Sequence, residues 1–208
     1  MPQPVPPAPE FGEAVAPRAC PEALALLARR RSASPQHLAA PAPEGAELDD
    51  LLRLSARVPD HGKMTPWRFV LLRGAGKARF VEALRPLAAS EANPAKALAS
   101  LGKLEAPPLA VAVVSAPREG GKPVGEQRAS AHAVCTQMLI AAAAMGYGAN
   151  WITDWYGERP DALRLLGLAL DAPVPEQVAG WILLGTAVEP PLERARPDLS
   201  RLVAEWNG

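Results

Sequence analysis

The sequence predicts an α+β layer fold, and three observations carry that expectation. Apolar runs at residues 67–72, 107–117 and 178–184 read as strands, with a shorter one at 149–153. Stretches with helical spacing of apolar residues separate them at unequal lengths, unlike the regular strand–helix units of a doubly wound sheet. No GxGxxG follows a strand and no GxxxxGK[ST] occurs, so a nucleotide site in this chain must be built without the usual glycine-rich phosphate loops.

Taken in order, the first twenty residues carry prolines at positions 2, 4, 6, 7 and 9, which deny the segment regular hydrogen bonding and predict an extended or disordered arm. They also lack the basic start and apolar block of a secretory signal. Order is expected from Pro21, a proline suited to a first helical turn, followed by EALALLARRR with its basic end. Residues 47–58 (ELDDLLRLSARV) predict a second helix that stops before Pro59. The loop PDHGKMTP leads into the strand at 67–72, and residues 77–89 read as another helix. After a polar, helix-prone segment at 94–103, the continuous apolar run PPLAVAVVSAP predicts a central strand buried on both faces. A long Ala-, Leu- and Met-rich helix is expected from 126 to 145, closed by Gly146. A helix at 160–166 and the strand at 178–184 precede a Pro- and Arg-rich tail.

Composition narrows the function. The 208 residues, 49% of them hydrophobic, suit one core, taken here as residues 21–208 beside the arm at 1–20. Lys+Arg and Asp+Glu are both 22, so no overall field recruits nucleic acid or an anionic membrane, and no apolar stretch is long enough to cross a bilayer. Two cysteines, Cys20 and Cys135, without ligand spacing, suggest a reducing cytoplasm rather than a disulfide scaffold or zinc site.

Four places carry candidate chemistry. Arg29, Arg30, Arg31 and Ser32 offer guanidiniums and a hydroxyl to a phosphate, although cations also suit a solvated helix C-terminus. His61 and Thr65 stand in a loop stiffened by two prolines; Asp60 there equally suits a turn cap. Trp151, Ile152 and Thr153 follow GYGA, where the indole suits either a planar ligand or the core. Arg194 and Arg196 alternate along an extended tail, as a second grip on phosphate or as a solvated basic end. No His pair, serine elbow or carboxylate pair supports a hydrolase.

In this order the segments resemble the nitroreductase family, particularly its short bacterial members. Arg30-Arg31-Ser32 resembles that family's opening flavin-phosphate motif. Residues 56–69 resemble its A-x-x-A-P-x-x-x-x-x-Q/N-P-W-x-F signature, GYGANW its G-x-G-x-x-W stretch, and GWILLG the strand before its final arginines. The resemblance implies a mixed sheet wrapped by helices, and a homodimer with FMN held between subunits. It also implies NADH or NADPH as reductant and a ping-pong reduction of nitroaromatics, quinones or similar electron-poor substrates. Under it, Arg30, Arg31, Ser32, Arg194 and Arg196 hold the flavin phosphate and ribityl chain. His61 and Thr65 approach the flavin, and Trp151, Ile152 and Thr153 lie along the ring or ribityl chain. The long helix at 126–145 helps build the interface. Thr65 departs from the usual Asn or Gln, Ile152 from a basic residue of close relatives, and residues 75–121 are short for an elaborate lid. A flavin carrier with little turnover, a structural dimeric module without flavin, and an oxidising or dehalogenating enzyme of the same fold remain the alternatives.

Overall fold

The computed structural model describes residues 5–207; residues 1–4 of the proline-rich arm and Gly208 lie outside the described residues. Residues 5–20 form no regular element. Helix α1 (Pro21–Arg29) has its proline in the first turn, with Glu22 there and Arg29 at the last, complementing the helix dipole. Strand β1 (Leu38–Ala39) follows, then α2 (Gly45–Ser55), β2 (Trp67–Arg73), α3 (Gly74–Ala89) and α4 (Pro94–Glu105). Strand β3 (Leu109–Ser115) leads to α5 (Val124–Ala144), β4 (Gly148–Ile152), α6 (Pro160–Leu165) and β5 (Gln177–Ala187). Asn93 caps α4, its side-chain oxygen accepting the Lys96 N–H at 3.1 Å.

Strand β3 lies between β2 and β5, as its continuous apolar run predicts, and all seven of its residues are buried. β5 pairs in turn with β4 over residues 181–185, while Leu38 and Ala39 of β1 oppose Ala187 and Thr186 at its far end. The sheet separates two apolar layers. Ala110, Ala112 and Val114 face α3, α4 and α6, together with Trp181 and Leu183; Leu109, Val111 and Val113 face α2 and α5, together with Ile182 and Leu184. The register slips between Val113 and Val114, so Gly180 opposes Val113 and Val178 opposes Val114. The extra residue is Ala179, and this bulge returns Ala179 to the α5 layer while Trp181 enters the other.

The mixed sheet implied by the resemblance is corrected here: every strand pair among the described residues is antiparallel. Long helical connections allow either direction, and α3–α4 brings the chain back to the end of the sheet where β2 finishes, so that Leu109 begins β3 opposite Arg73. Helix α2 ends at Ser55, three residues short of Val58; its hydroxyl donates to the Leu51 carbonyl at 2.6 Å, and Pro59 blocks continuation. Helix α1 ends at Arg29, because Arg30 turns out to ψ 128 and carries the chain toward β4. β1 was not foreseen, since two residues leave no periodic signal.

Helix α5 buries one face, with Gln127, Ala131, Val134, Cys135, Met138 and Ala142 on successive turns, while Gly125, Ala129, His132 and Thr136 form an exposed stripe that carries no charged side chain. It packs on β3, β4, β5, α1 and α2, which makes it the helix that both candidate regions share. Arg68 clamps β2 to the segment before β5 through a bidentate pair with Glu176, at 2.8 and 2.7 Å, and a bond to the Gly167 carbonyl at 2.9 Å. The hydrogen-bonded Arg68 guanidinium holds the Glu176 carboxyl below the usual carboxylate range.

Candidate functional site

The basic residues at the two ends of the chain converge. Beyond α1 the chain is clipped to the free side of β4: the Ala33 N–H donates to the Ala149 carbonyl at 3.1 Å, and the Asn150 amide donates to the Ala33 carbonyl. This fixes Arg30, Arg31 and Ser32 beside the strand. The tail after β5 returns to the same place, where Arg31 Nε donates to the Leu192 carbonyl at 3.1 Å. The Glu193 carboxylate then bridges Arg31 Nε at 3.4 Å and Arg196 Nη2 at 3.1 Å. Burial, then the neighbouring Arg196 and Arg31 charges, lower the pKa of Arg30. Three guanidiniums therefore share one small region, and two of them, Arg31 and Arg196, pair with a single carboxylate. An oxyanion with more lone pairs and more charge suits that geometry better than a lone glutamate does. The Arg194 side chain has no partner among the described residues; only its N–H bonds Glu193, at 2.8 Å.

Strand β4 connects this cluster to a second region. It pairs with β5 alone, so one of its edges is free. Ala149 uses that edge to accept the Ala33 N–H, and by two-residue alternation the N–H and C=O of Trp151 face the same way. The side chains of Trp151 and Ile152 pack with opposite core layers, so the strand offers backbone rather than side-chain groups here. The Trp151 indole lies on Gly180, where a Cβ would stand 2.0 Å from Nε1, and its ring is 6.2 Å from that of His132 on α5. From Asn150 to Thr153 the strand advances about 10 Å at roughly 3.3 Å per residue. Thr153 opens onto a cleft of about 650 Å³ between α4 and the turn after β4, walled by Trp155, Asn93, Lys96 and the Lys103–Asp154 ion pair. Tyr156, next to Trp155, is fully buried.

The loop before β2 is held at the N-terminal end of α5. The Ser130 hydroxyl donates to the Pro59 carbonyl at 2.5 Å. Asp60 accepts the N–H groups of Met64 and Thr65 at 2.9 and 2.8 Å, and the Arg118 guanidinium donates to the Met64 carbonyl. These bonds hold Lys63 and Thr65 at φ 55 and 45, a region that side chains with a Cβ seldom occupy. His61 Nδ1 lies 2.5 Å from Glu126 Oε2. Beneath the loop, the buried Gln127 amide donates to the Arg118 and Lys122 carbonyls, both at 2.8 Å, and accepts the Arg118 N–H at 2.9 Å.

The structure thus brings Arg30, Arg31 and Arg196 together, places Ser32 beside them, and sets Trp151, Ile152 and Thr153 along the adjoining strand. It puts His61 and Thr65 apart, and among the described residues no hydrogen bond or ion pair joins them to the arginines. Sequence reasoning missed Glu126, Ser130 and Glu193, each with a partner far away in sequence, and Gln127, whose partners Arg118 and Lys122 lie in the loop just before its helix. Trp67 lies in the core, and Cys135 is buried, which pushes its thiol up to about 12. No group of three potential metal ligands occurs among the described residues, and none of their helices is long and apolar enough to cross a membrane.

Comparison with known proteins places this geometry. The family model described as the nitroreductase family matches residues 27–186. A protein of Escherichia coli (strain K12) named as an NAD(P)H nitroreductase, YdjA, is 36% identical over 168 residues, covering 79% of this chain and 88% of the relative. A Haemophilus influenzae protein also named as an NAD(P)H nitroreductase is 27% identical over 172 residues, 81% of this chain and 90% of the relative. Among solved structures, a nitroreductase-like family protein from Bacillus cereus superposes with a TM-score of 0.77 at 20% identity, covering 94% of this chain and all of that one. A nitroreductase from Bacteroides fragilis, solved with bound FMN, gives 0.67 at 20% identity, covering 89% of this chain and 99% of that one. The chain belongs to the nitroreductase family of oxidoreductases.

Proposed function

We propose that this protein is an FMN-dependent oxidoreductase that takes hydride from NADH or NADPH and passes it to nitroaromatic, quinone or similar electron-poor acceptors in a ping-pong cycle. The observation that carries the reading is the pairing of Arg31 and Arg196 with one carboxylate, with Arg30 beside them, about 10 Å along β4 from the open backbone and cleft at Thr153. An elongated ligand with a dianionic phosphate at one end and a planar ring at the other matches that layout. The relatives' names, and the FMN bound in the neighbouring structures, agree with it.

In this reading Arg30, Arg31, Ser32, Arg194 and Arg196 take the phosphate and ribityl chain. The backbone of Trp151, Ile152 and Thr153 lies along the ring, and His61 and Thr65 reach a flavin from the same or the partner subunit. FMN supplies the redox chemistry; the chain positions it, shields it and sets the charge around it. The cytoplasm, where Cys20 and Cys135 stay as the thiols seen here, is the proposed setting.

The site is completed in a homodimer. Leu24 and Leu27 on α1, and Leu192, Leu202 and Trp206 of the tail, are all more than half exposed in the single chain. Apolar side chains left this exposed on α1 and the tail suit a partner subunit. Sedimentation is expected to give twice the 21.9 kDa chain mass. The test of the phosphate assignment compares FMN with riboflavin. Two charge-assisted contacts at about 1.5–3 kcal/mol each make FMN the tighter ligand by roughly a hundredfold or more. Equal affinity for the two would remove the assignment.

A further inference from the structure

We propose that Glu126 is a positioning residue for His61: it holds the imidazole with Nδ1 as the donor and so offers Nε2 to the bound flavin or acceptor. The inference rests on the flavin reading above and adds a residue that neither the loop motif nor the family resemblance singled out.

The geometry fixes the roles of the atoms. His61 Nδ1 and Glu126 Oε2 are 2.5 Å apart. An ionised carboxylate only accepts, so the shared proton belongs to Nδ1, and Nε2 is the ring nitrogen left for a ligand. As an imidazolium, His61 then donates from Nε2; as a neutral ring it accepts there. In either state the face presented outward is set by Glu126. Nε2 has no protein partner among the described residues, and the His61 side chain is 56% exposed, so the atom is reachable.

Both halves of the pair are held from outside it. On the His61 side, Ser130 grips the Pro59 carbonyl, Asp60 ties the N–H groups of Met64 and Thr65, and Gly62 turns at φ 77 against the Lys122 side chain. On the Glu126 side, its N–H bonds the Pro123 carbonyl at 3.1 Å in the first turn of α5, and the adjacent Gln127 locks the preceding loop. A glutamate in a first turn also complements the helix dipole, and an exposed ion pair contributes little stability by itself. Those effects account for an acid near Val124. They do not account for a strained loop, with two non-glycine residues at positive φ, that brings an imidazole within 2.5 Å of it.

The experiment uses the full chain loaded with FMN and the variants E126Q, H61Q and the double variant. Nitrogen-15 NMR reads the His61 tautomer, and redox titration reads the ratio of reduced to oxidised bound flavin. The wild type is expected to carry its proton on Nδ1. E126Q loses that selection, because an amide can either donate to Nδ1 or accept from it. E126Q and H61Q are each expected to shift the flavin equilibrium by about tenfold, close to 30 mV for a two-electron couple. The double variant should match H61Q alone, since Glu126 acts only through His61. An Nε2-protonated tautomer in the wild type would overturn the proposal. So would an E126Q shift that persists undiminished in the H61Q background, the signature of a helix-terminus effect, and so would no shift in either single variant. Failure to retain FMN at all would instead sink the functional reading, while the tautomer measurement would still decide the pair.

Discussion

Replacing Gln127 with leucine isolates the structural support of the His61 loop from its chemistry. Gln127 is 3% exposed, and its amide makes three hydrogen bonds to the backbone of Arg118 and Lys122. Leucine fills a similar volume and makes none of them. At about 1 kcal/mol net per bond the loss is about 3 kcal/mol, and the extra apolar burial offsets about 1 kcal/mol of it. The expected destabilisation is therefore about 2 kcal/mol. For a domain of this size each kcal/mol lowers Tm by about 2–4 °C, so thermal unfolding should shift down by about 4–8 °C. Because segment 117–123 packs against the loop through Lys122 on Gly62 and Met64 on Gly121, flavin affinity should fall with it. An unchanged Tm would refute the claim that this amide pins the two loops together.

Three further predictions follow from separate parts of the molecule. Arg31→Ala should weaken FMN binding by about 10- to 150-fold, the equivalent of one charge-assisted contact of 1.5–3 kcal/mol, and leave riboflavin binding nearly unchanged; an equal loss for both ligands would mean the change is structural. The chain has two tyrosines, and both should ionise late. The Glu47 hydrogen bond, with Oη 2.5 Å from the carboxylate, pushes Tyr147 up to about 12, and burial pushes Tyr156 up as well. A folded pKa above the unfolded value of about 10 means that the contribution to stability is complete below pH 10 and is lost as pH rises toward 12. Native protein should thus show almost no tyrosinate absorbance at pH 10.5, and a half-titrated signal there would contradict the placement of at least one ring. A thiol reagent should label one cysteine per native chain, the exposed Cys20, and two after unfolding, since Cys135 is buried with its thiol raised mainly by that burial.

What the sequence made legible was local. Arg30, Arg31 and Ser32 stand out because three polar groups end an apolar helical pattern, and the strand at Leu109–Ser115 because seven residues in a row suit burial on both faces. Pro59, His61 and Pro66 mark a rigid loop for the same reason. The remainder depends on contacts between distant segments. Glu126 and His61 are 65 positions apart, and Arg31 meets the Leu192 carbonyl across 161. Gln127 looks like any polar residue on a helix until the loop at 117–123 folds over it. Strand direction also escaped, because a helical connection permits either sense, and the slip at Ala179 changes which face each β5 residue takes without any mark in the apolar run.

The most direct test of the account is an absorbance spectrum of the protein after loading with FMN and removing the excess, followed by anaerobic addition of NADH and then NADPH. The account predicts that flavin bands stay with the protein and bleach on addition of at least one of the nucleotides. Bands that remain unbleached with both would make the protein a flavin carrier, and a protein that retains no flavin would contradict the assignment of the arginine cluster itself.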